Sequence, residues 1–200
     1  VPQLNKIYQY QNTFHIFKNS GAFSYENADE ITANNEPTGI LEVADFNDDG
    51  SLDVVTLTFR VSNTSINFFK NTSSINNFNF EFETSVSNGG QNSDVKTGDI
   101  DNDGLVDVVV ASRNTGLISV FENQSSSDQI SFSSSTNVST SGTAASGITL
   151  ADLNGDGMLD IASSNALNDI YIFEKTSAVT ISFGTDEIQS TNSTTQFIVS

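Results

Sequence analysis

The chain has 200 residues, enough for one domain with a sizeable core. An apolar share of 36%, with 15 phenylalanines, excludes a disordered acidic tail. The net charge of -18 argues against nucleic acid as a partner, and the lack of cysteine excludes disulfides, thiolate metal sites and thiol nucleophiles.

The composition of the apolar segments indicates β-structure. Val, Ile, Phe and Thr dominate these segments, and polar stretches of Ser, Thr, Asn and Gly separate them. This pattern is typical of an all-β protein with many turns. The sequence has no apolar run of about 18 residues, so we expect no membrane span. Without an initiating Met or a signal peptide, the chain reads as a processed chain or a piece of a longer one.

Taken in chain order, the predicted elements repeat. A strand is expected at residues 7–10, and the segment HIFKN follows it. The first acidic loop, ADFNDDGSLDVV, returns as GDIDNDGLVDVVV and as ADLNGDGMLDIAS. HIFKN itself returns as NFFKN, SVFEN and YIFEK, with a constant spacing of 52 residues between the phenylalanines at Phe17, Phe69, Phe121 and Phe173. The common order and period indicate an internal repeat that must set the fold.

Each repeat contains four predicted strands. The first strand ends at the acidic loop, the second leaves it, the third carries the xxFxN segment, and the fourth is centred on Phe80 or Phe132. Four antiparallel strands in about 52 residues make one blade of a β-propeller. The predicted units are a partial blade at 1–38, full units at 39–90, 91–143 and 144–195, and the start of another at 196–200.

The chain therefore holds about three and a half predicted blades. A closed propeller usually needs more, so we expect a part of a larger propeller or an arc completed by other chains. The tail TTQFIVS has the pattern of a first strand. The alternatives are a complete β-sandwich and an open solenoid.

The acidic loops have the pattern expected of a calcium site. Ca²⁺ takes 6–8 hard oxygen ligands, and these loops offer oxygens at positions 1, 3, 5 and 9, a backbone carbonyl at position 7, and a turn glycine at position 6. No soft ligand is present, which disfavours Zn²⁺ and Cu²⁺. The predicted ligands, for about three ions, are Asp45, Asn47, Asp49, Ser51 and Asp53; Asp99, Asp101, Asp103, Leu105 and Asp107; and Asp152, Asn154, Asp156, Met158 and Asp160.

EF-hands and solvated turns fit these loops less well than a β-strand calcium loop does. The loops are not EF-hands, because position 12 carries no Glu and the flanking segments are strands. A single copy would also suit a solvated turn, but three copies in register make that interpretation weak. The middle loop has four carboxylates where the others have three, so we expect it to bind calcium most strongly.

The loops, the period and the phrases VFEN and ISF resemble the FG-GAP/VCBS repeats of integrin-α-type β-propellers. They are especially similar to versions in secreted and surface proteins of Bacteroidetes. The resemblance implies a propeller blade with calcium held between its first two strands, which places that role on the loop side chains named above. The Phe-Gly and Gly-Ala-Pro signatures of the family are not clearly present.

The sequence gives little support for catalysis. His15 is the only histidine and occupies a position where the other repeats carry Asn67, Ser119 and Tyr171. We therefore expect no enzyme. The preferred interpretation is an extracellular or cell-surface calcium scaffold for adhesion, surface assembly or ligand binding. Its expected partners are a protein or glycan ligand, or other subunits of a surface assembly. The alternative is an accessory or catalytic propeller domain of a secreted polysaccharide-active enzyme.

Overall fold

The protein is described by a computed structural model that covers residues 13–17, 19–21, 24–25, 29–32, 38–58, 64–75, 77–140, 144–165, 169–184 and 187–190. Within these ranges the regular elements are β-strands, and no helix occurs. The predicted strands at residues 7–10 and 194–200 lie outside the described residues.

Three four-stranded antiparallel sheets, here called blades 1 to 3, form the body of the described chain, and in each the strands lie side by side in chain order. Blade 1 contains β5 (Thr38–Ala44), β6 (Asp53–Thr58), β7 (Ser65–Asn71) and β8 (Phe80–Ser87). Blade 2 contains β9 (Asn92–Gly98), β10 (Asp107–Ser112), β11 (Leu117–Phe121) and β12 (Thr136–Ser139). Blade 3 contains β13 (Ala145–Ala151), β14 (Asp160–Asn165), β15 (Asp169–Phe173) and β16 (Glu187–Ser190).

The remaining strands form two small sheets before blade 1. β1 (Thr13–Ile16) pairs with β4 (Asp29–Thr32), and β2 (Asn19–Gly21) pairs with β3 (Ser24–Tyr25). Phe14 of β1 is fully buried and packs edge-on against Phe69 of blade 1, with ring centroids 5.2 Å apart. This segment therefore stacks on blade 1.

The blades are stacked on one another. Their first strands β5, β9 and β13 are neighbours, and each pair of adjacent blades shares a hydrophobic core. Val108 and Val110 of β10 face the core shared with blade 1, whereas Val109 and Ala111 face the core shared with blade 3. Burial of both faces explains why β6 and β10 are nearly continuous apolar runs rather than alternating ones, whereas β14 buries Ser163, Ser164 and Asn165 instead.

This architecture confirms the prediction of all-β propeller blades, since a sandwich has only two sheets. Three phenylalanines of the 52-residue series belong to the core, since Phe69, Phe121 and Phe173 are 0%, 1% and 2% exposed, whereas Phe17 is half-buried. The unit boundaries given above stay predictions, as does closure into a larger propeller.

The fourth strand of blade 2 differs from the sequence prediction, because Phe132 does not lie in β12 but forms an isolated bridge with Asn123. Phe183 forms the corresponding bridge with Lys175 in blade 3. A hairpin, here called an arm, therefore separates the third strand from the fourth. Arm 1 spans residues 71–80, arm 2 spans 123–132 and arm 3 spans 175–183.

Candidate metal centre

Each acidic loop connects the first strand of its blade to the second: loop 1 spans residues 45–53, loop 2 spans 99–107 and loop 3 spans 152–160. Glycine at position 6 has a positive φ in all three loops, at 87° for Gly50, 95° for Gly104 and 85° for Gly157. A side chain is disfavoured in this left-handed region, which accounts for the repeated glycine.

Position 4 is a second left-handed residue that the sequence pattern did not reveal. Asp48, Asn102 and Gly155 have φ values of 55°, 59° and 84°. Asp, Asn and Gly are the residues that tolerate this conformation best. Two left-handed positions close together curl the backbone, which lets alternate side chains converge.

The first aspartate of each loop organises the backbone of its own loop. The Asp45 carboxylate accepts hydrogen bonds from the backbone N–H groups of Asp49, at 3.1 Å, and Gly50, at 2.7 Å. Asp99 accepts the corresponding bonds from Asp103 and Gly104, at 3.1 and 3.0 Å. Loop 3 repeats the arrangement through Asp152. These bonds hold the loop in its curled form before any ion is added.

The ninth-position aspartates are the most deeply buried carboxylates of the loops. Asp53, Asp107 and Asp160 are 0%, 0% and 1% exposed. One Asp107 oxygen accepts the backbone N–H of Ile100, at 2.8 Å, and the other accepts that of Asn123, at 2.7 Å. Each ninth-position carboxylate thereby joins its loop to the end of the third strand.

Burial raises the pKa of two aspartates, Asp53 and Asp107. Desolvation raises the pKa of Asp53 to about 6, against the hydrogen bonds from Asn71 and Phe46, and the charges of Asp49 and Asp45 add to the rise. Desolvation likewise raises the pKa of Asp107 to about 6. A nearby cation would offset this cost, because it favours the ionised form.

Loop 1 contains a buried acceptor without a partner. Asn47 is 1% exposed, and its Nδ2 donates to Asp49 Oδ2 and to the carbonyl oxygen of Ser127, both at 2.9 Å. Its Oδ1 has no hydrogen-bond partner. Seven buried side-chain atoms of the described residues lack a partner, and Asn47 Oδ1 is the one in an acidic loop, where a cation or an ordered water would satisfy it.

Loop 2 brings three carboxylates together. One oxygen from each of Asp99, Asp101 and Asp107 lies within 4.8 Å of the others. Desolvation raises the pKa of Asp101, and the charge of Asp103 contributes to the rise. In the described part of the chain this is the group of acidic side chains that meets the geometry of a metal site, and it includes predicted ligand positions 1, 3 and 9.

Loop 3 is the most exposed of the three. Asp152, Asn154 and Asp156 are exposed, whereas Asp160 is buried. Asn154 Nδ2 donates to Asp156 Oδ2, at 3.0 Å, and to Oε1 of Glu174, at 2.9 Å. Glu174 is thus an additional carboxylate beside loop 3 that the loop pattern itself does not contain.

The position-7 residues, predicted to offer a carbonyl oxygen, also have a role in the loop backbone. The N–H groups of Ser51, Leu105 and Met158 donate to the position-5 carboxylates of Asp49, Asp103 and Asp156, at 2.9, 2.8 and 2.8 Å. The assignment of the fifteen residues as metal ligands stays a prediction, because no ion is present.

The acidic loops also contact the next blade, which the sequence did not predict. The Asn123 side chain is buried, and its Nδ2 donates to the carbonyl oxygens of Phe46 in loop 1, at 2.8 Å, and Val106 in loop 2, at 2.9 Å. Asn102 of loop 2 donates to the carbonyl oxygen of Ala178 in arm 3, at 3.3 Å. Each of these two loops therefore lies at a junction between blades.

The comparison with protein families agrees with this architecture. The FG-GAP-like repeat family matches the chain over residues 45–110 and again over residues 99–163. The two matches together cover more than half of the chain, and each runs from one acidic loop through the second strand of the following blade. The chain belongs to the FG-GAP-like repeat family. The finer likeness to VCBS repeats and to proteins of Bacteroidetes stays a prediction.

No significant match was found among curated proteins. A search of the described residues for long apolar helices, of the kind that cross a membrane, found none.

Proposed function

We propose that this protein is a calcium-binding β-propeller module and that each acidic loop holds one Ca²⁺. The observation that carries the proposal is the buried Asn47 Oδ1, which points to a ligand in the loop where the sequence pattern places one. The carboxylate cluster of loop 2 supports the same conclusion independently.

The residues present fit a hard divalent cation. Asp, Asn and backbone carbonyl oxygens are the donors that Ca²⁺ prefers, and a flexible loop suits its variable coordination. In each loop the side chains at positions 1, 3, 5 and 9, with the position-7 carbonyl, would hold the ion. A bound cation would supply positive charge where crowded carboxylates otherwise repel, so binding would contribute to folding free energy.

The proposed biological role is that of a rigid extracellular or cell-surface scaffold for adhesion, surface assembly or ligand binding. Membership of the FG-GAP-like repeat family supports a propeller-type module. Calcium concentrations outside cells are high enough to occupy even weak sites of 10⁻⁴ to 10⁻³ M affinity, as this order of magnitude is typical of extracellular modules. The proposed partners are a protein or glycan ligand, or other subunits of a surface assembly.

We further propose that the module is not itself an enzyme. The acidic residues that general acid–base chemistry would require are engaged as acceptors for backbone N–H groups, as at Asp53 and Asp107. A role as an accessory or catalytic propeller domain of a secreted polysaccharide-active enzyme is the alternative. Turnover of polysaccharides by the isolated protein would favour that alternative.

Calcium stoichiometry tests the proposal directly. Equilibrium dialysis at millimolar Ca²⁺ should find about three ions per chain, with one lost in Asp99→Ala because loop 2 loses a ligand carboxylate and the acceptor that holds its curled backbone. The matched control is Glu83→Gln, which removes one negative charge from strand β8 and should leave the stoichiometry unchanged. Absence of bound calcium in the unaltered protein would contradict the proposal.

A further inference from the structure

Loop 1 has a lysine from its own blade beside it. Lys70, in the NFFKN segment of β7, places Nζ 4.0 Å from Oδ2 of Asp49. The same Nζ donates to the carbonyl oxygens of Ser127, at 3.1 Å, and Asp128, at 3.2 Å, both at the tip of arm 2. The ammonium group is thus held between an acidic loop and the following blade.

Blades 2 and 3 carry the opposite charge at this position, whereas the partial first repeat carries Lys18. Residues 52 and 104 positions further along the chain are Glu122 and Glu174. Glu174 accepts a hydrogen bond from Asn154 of loop 3, at 2.9 Å, which shows that this position reaches the loop in blade 3 as well. Loop 1 therefore has a positive charge beside it where loop 3 has a negative one.

The lysine of arm 3 lies near loop 2, where its charge counters the rise that burial causes in the pKa of Asp101, but among the described residues it forms no ion pair within 4.0 Å with that loop. The Lys175 ammonium donates to the carbonyl oxygens of Ser177 and Thr180 within its own arm. Among the described residues, the ion pairs within 4.0 Å are Lys70 with Asp49 and Lys96 with Glu42. Lys70 is thus the described lysine that forms an ion pair with an acidic loop.

We infer that the positive charge of Lys70 weakens the binding of a divalent ion in loop 1. Loop 1 is therefore the last of the three loops to fill. This inference rests on the proposed calcium-binding function and deepens it. The ammonium group of Lys70 repels an incoming cation. When the ion binds the Asp49 carboxylate, the attraction between Lys70 and that carboxylate is also lost.

The same contacts give loop 1 a junction that does not depend on metal. Lys70 and Asn47 both donate to the carbonyl oxygen of Ser127, so loop 1 and arm 2 remain joined while the loop is empty. Because loop 1 binds calcium more weakly, it fills at a higher calcium concentration than loops 2 and 3.

Calcium titration of loop 1 in isolation tests the inference. The double variant Asp99→Ala, Asp152→Ala removes the aspartates that supply ligand oxygens and hold the curled backbone of loops 2 and 3, so calorimetry on this background reads loop 1. Addition of Lys70→Met should tighten calcium binding about tenfold, and Lys70→Glu should tighten it further, because each removes repulsion of a divalent ion at short range. Lys70→Arg keeps the charge and should stay within about twofold.

Two further variants separate a local charge effect from a general one. Lys96→Met removes the lysine of the other ion pair, which lies on strand β9, and should leave loop 1 affinity unchanged. Glu174→Lys in the chain with only loop 3 intact should weaken calcium binding about tenfold. If the double variant does not fold, the weakest binding step of the full chain gives the same comparison.

The outcomes distinguish the inference from the proposed function. If the unaltered protein binds about three ions but Lys70→Met and Lys70→Glu leave the weakest step unchanged, the inference is wrong and the proposed function stands. If the unaltered protein binds no calcium, both are wrong. Tightening by Met and Glu, with Arg unchanged, supports the inference.

Discussion

Asn123 of blade 2 donates a 2.8 Å hydrogen bond from Nδ2 to the carbonyl oxygen of Phe46, which lies 77 residues earlier in loop 1. The same nitrogen donates to Val106 in its own blade, and Oδ1 accepts the N–H of Ser125. A single buried amide therefore joins two acidic loops and an arm.

Replacement of Asn123 by Ala should weaken the junction between blades 1 and 2. The change leaves two carbonyl oxygens and one N–H group without their partner, and we expect a loss of about 2–3 kcal/mol in the free energy of unfolding. Urea denaturation measures the loss. Gln124→Ala, at the exposed neighbouring position, is the control and should change stability by less than about 0.5 kcal/mol. Equal losses in the two variants would contradict the assigned role.

The fifth and ninth positions of loop 2 should respond differently to substitution. Asp107→Asn replaces a carboxylate oxygen that accepts a backbone N–H by an amide nitrogen, so we expect a loss of about 1–3 kcal/mol even in EDTA. Asp103→Asn keeps an oxygen that can accept the N–H of Leu105, so its loss should occur mainly in the presence of calcium. Urea denaturation with and without Ca²⁺ tests this difference between the two variants. Loss of stability only with calcium in both variants would contradict it.

The raised pKa values predict how stability varies with pH. The pKa of Asp53 and Asp107 is about 6 in the folded protein, above the ordinary value of 3.8. Between these values the folded chain holds protons that the unfolded chain has released. The contribution of these groups to stability is therefore complete below about pH 4 and is lost as the pH rises through about 6. In EDTA, the free energy of unfolding should fall between pH 4.5 and pH 7.

Calcium should reverse that trend, because its ligands must be deprotonated. The increase in melting temperature caused by calcium should be larger at pH 7 than at pH 5. Scanning calorimetry at the two pH values, with and without Ca²⁺, measures the difference. An equal increase at both would show that Asp53 and Asp107 take no part in binding.

The left-handed positions of the loops predict a backbone effect. Gly104 has a φ of 95°, and a Cβ atom added there would meet nothing within 4 Å, so the cost of Gly104→Ala is conformational. We expect a loss of about 1–2 kcal/mol from strain in this region. Asp48→Gly, at a residue with a φ of 55°, is the complementary variant and should be neutral or stabilising. Chemical denaturation of both variants checks the signs, and an unaffected Gly104→Ala would contradict the interpretation.

The sequence predicted the repeated four-stranded units and the acidic loops within them. The 52-residue period located the blades, and the alternation of acidic residues with Gly50, Gly104 and Gly157 located the loops at the ends of the first strands. Each loop and each strand is encoded by a few consecutive residues, and the spacing of their copies gives the period.

The remaining features arise from stacking of distant segments. The bond from Asn123 to Phe46 and the contact of Lys70 with Ser127 join residues 77 and 57 positions apart, and no local pattern encodes them. The arms escaped prediction because the segments around Phe132 and Phe183 have a strand-like composition but form only isolated bridges. The sequence did not reveal the left-handed φ of Asp48 and Asn102, because Asp and Asn are also common in ordinary turns.

The central claim is that calcium is a structural part of this propeller module. Its most direct test is thermal unfolding of the unaltered protein in EDTA and in excess Ca²⁺, with the bound metal counted before each scan. We expect about three bound ions and a melting temperature raised by about 10 °C or more, because ligands that bind only the folded state stabilise it. Equal melting temperatures and no bound calcium would contradict it.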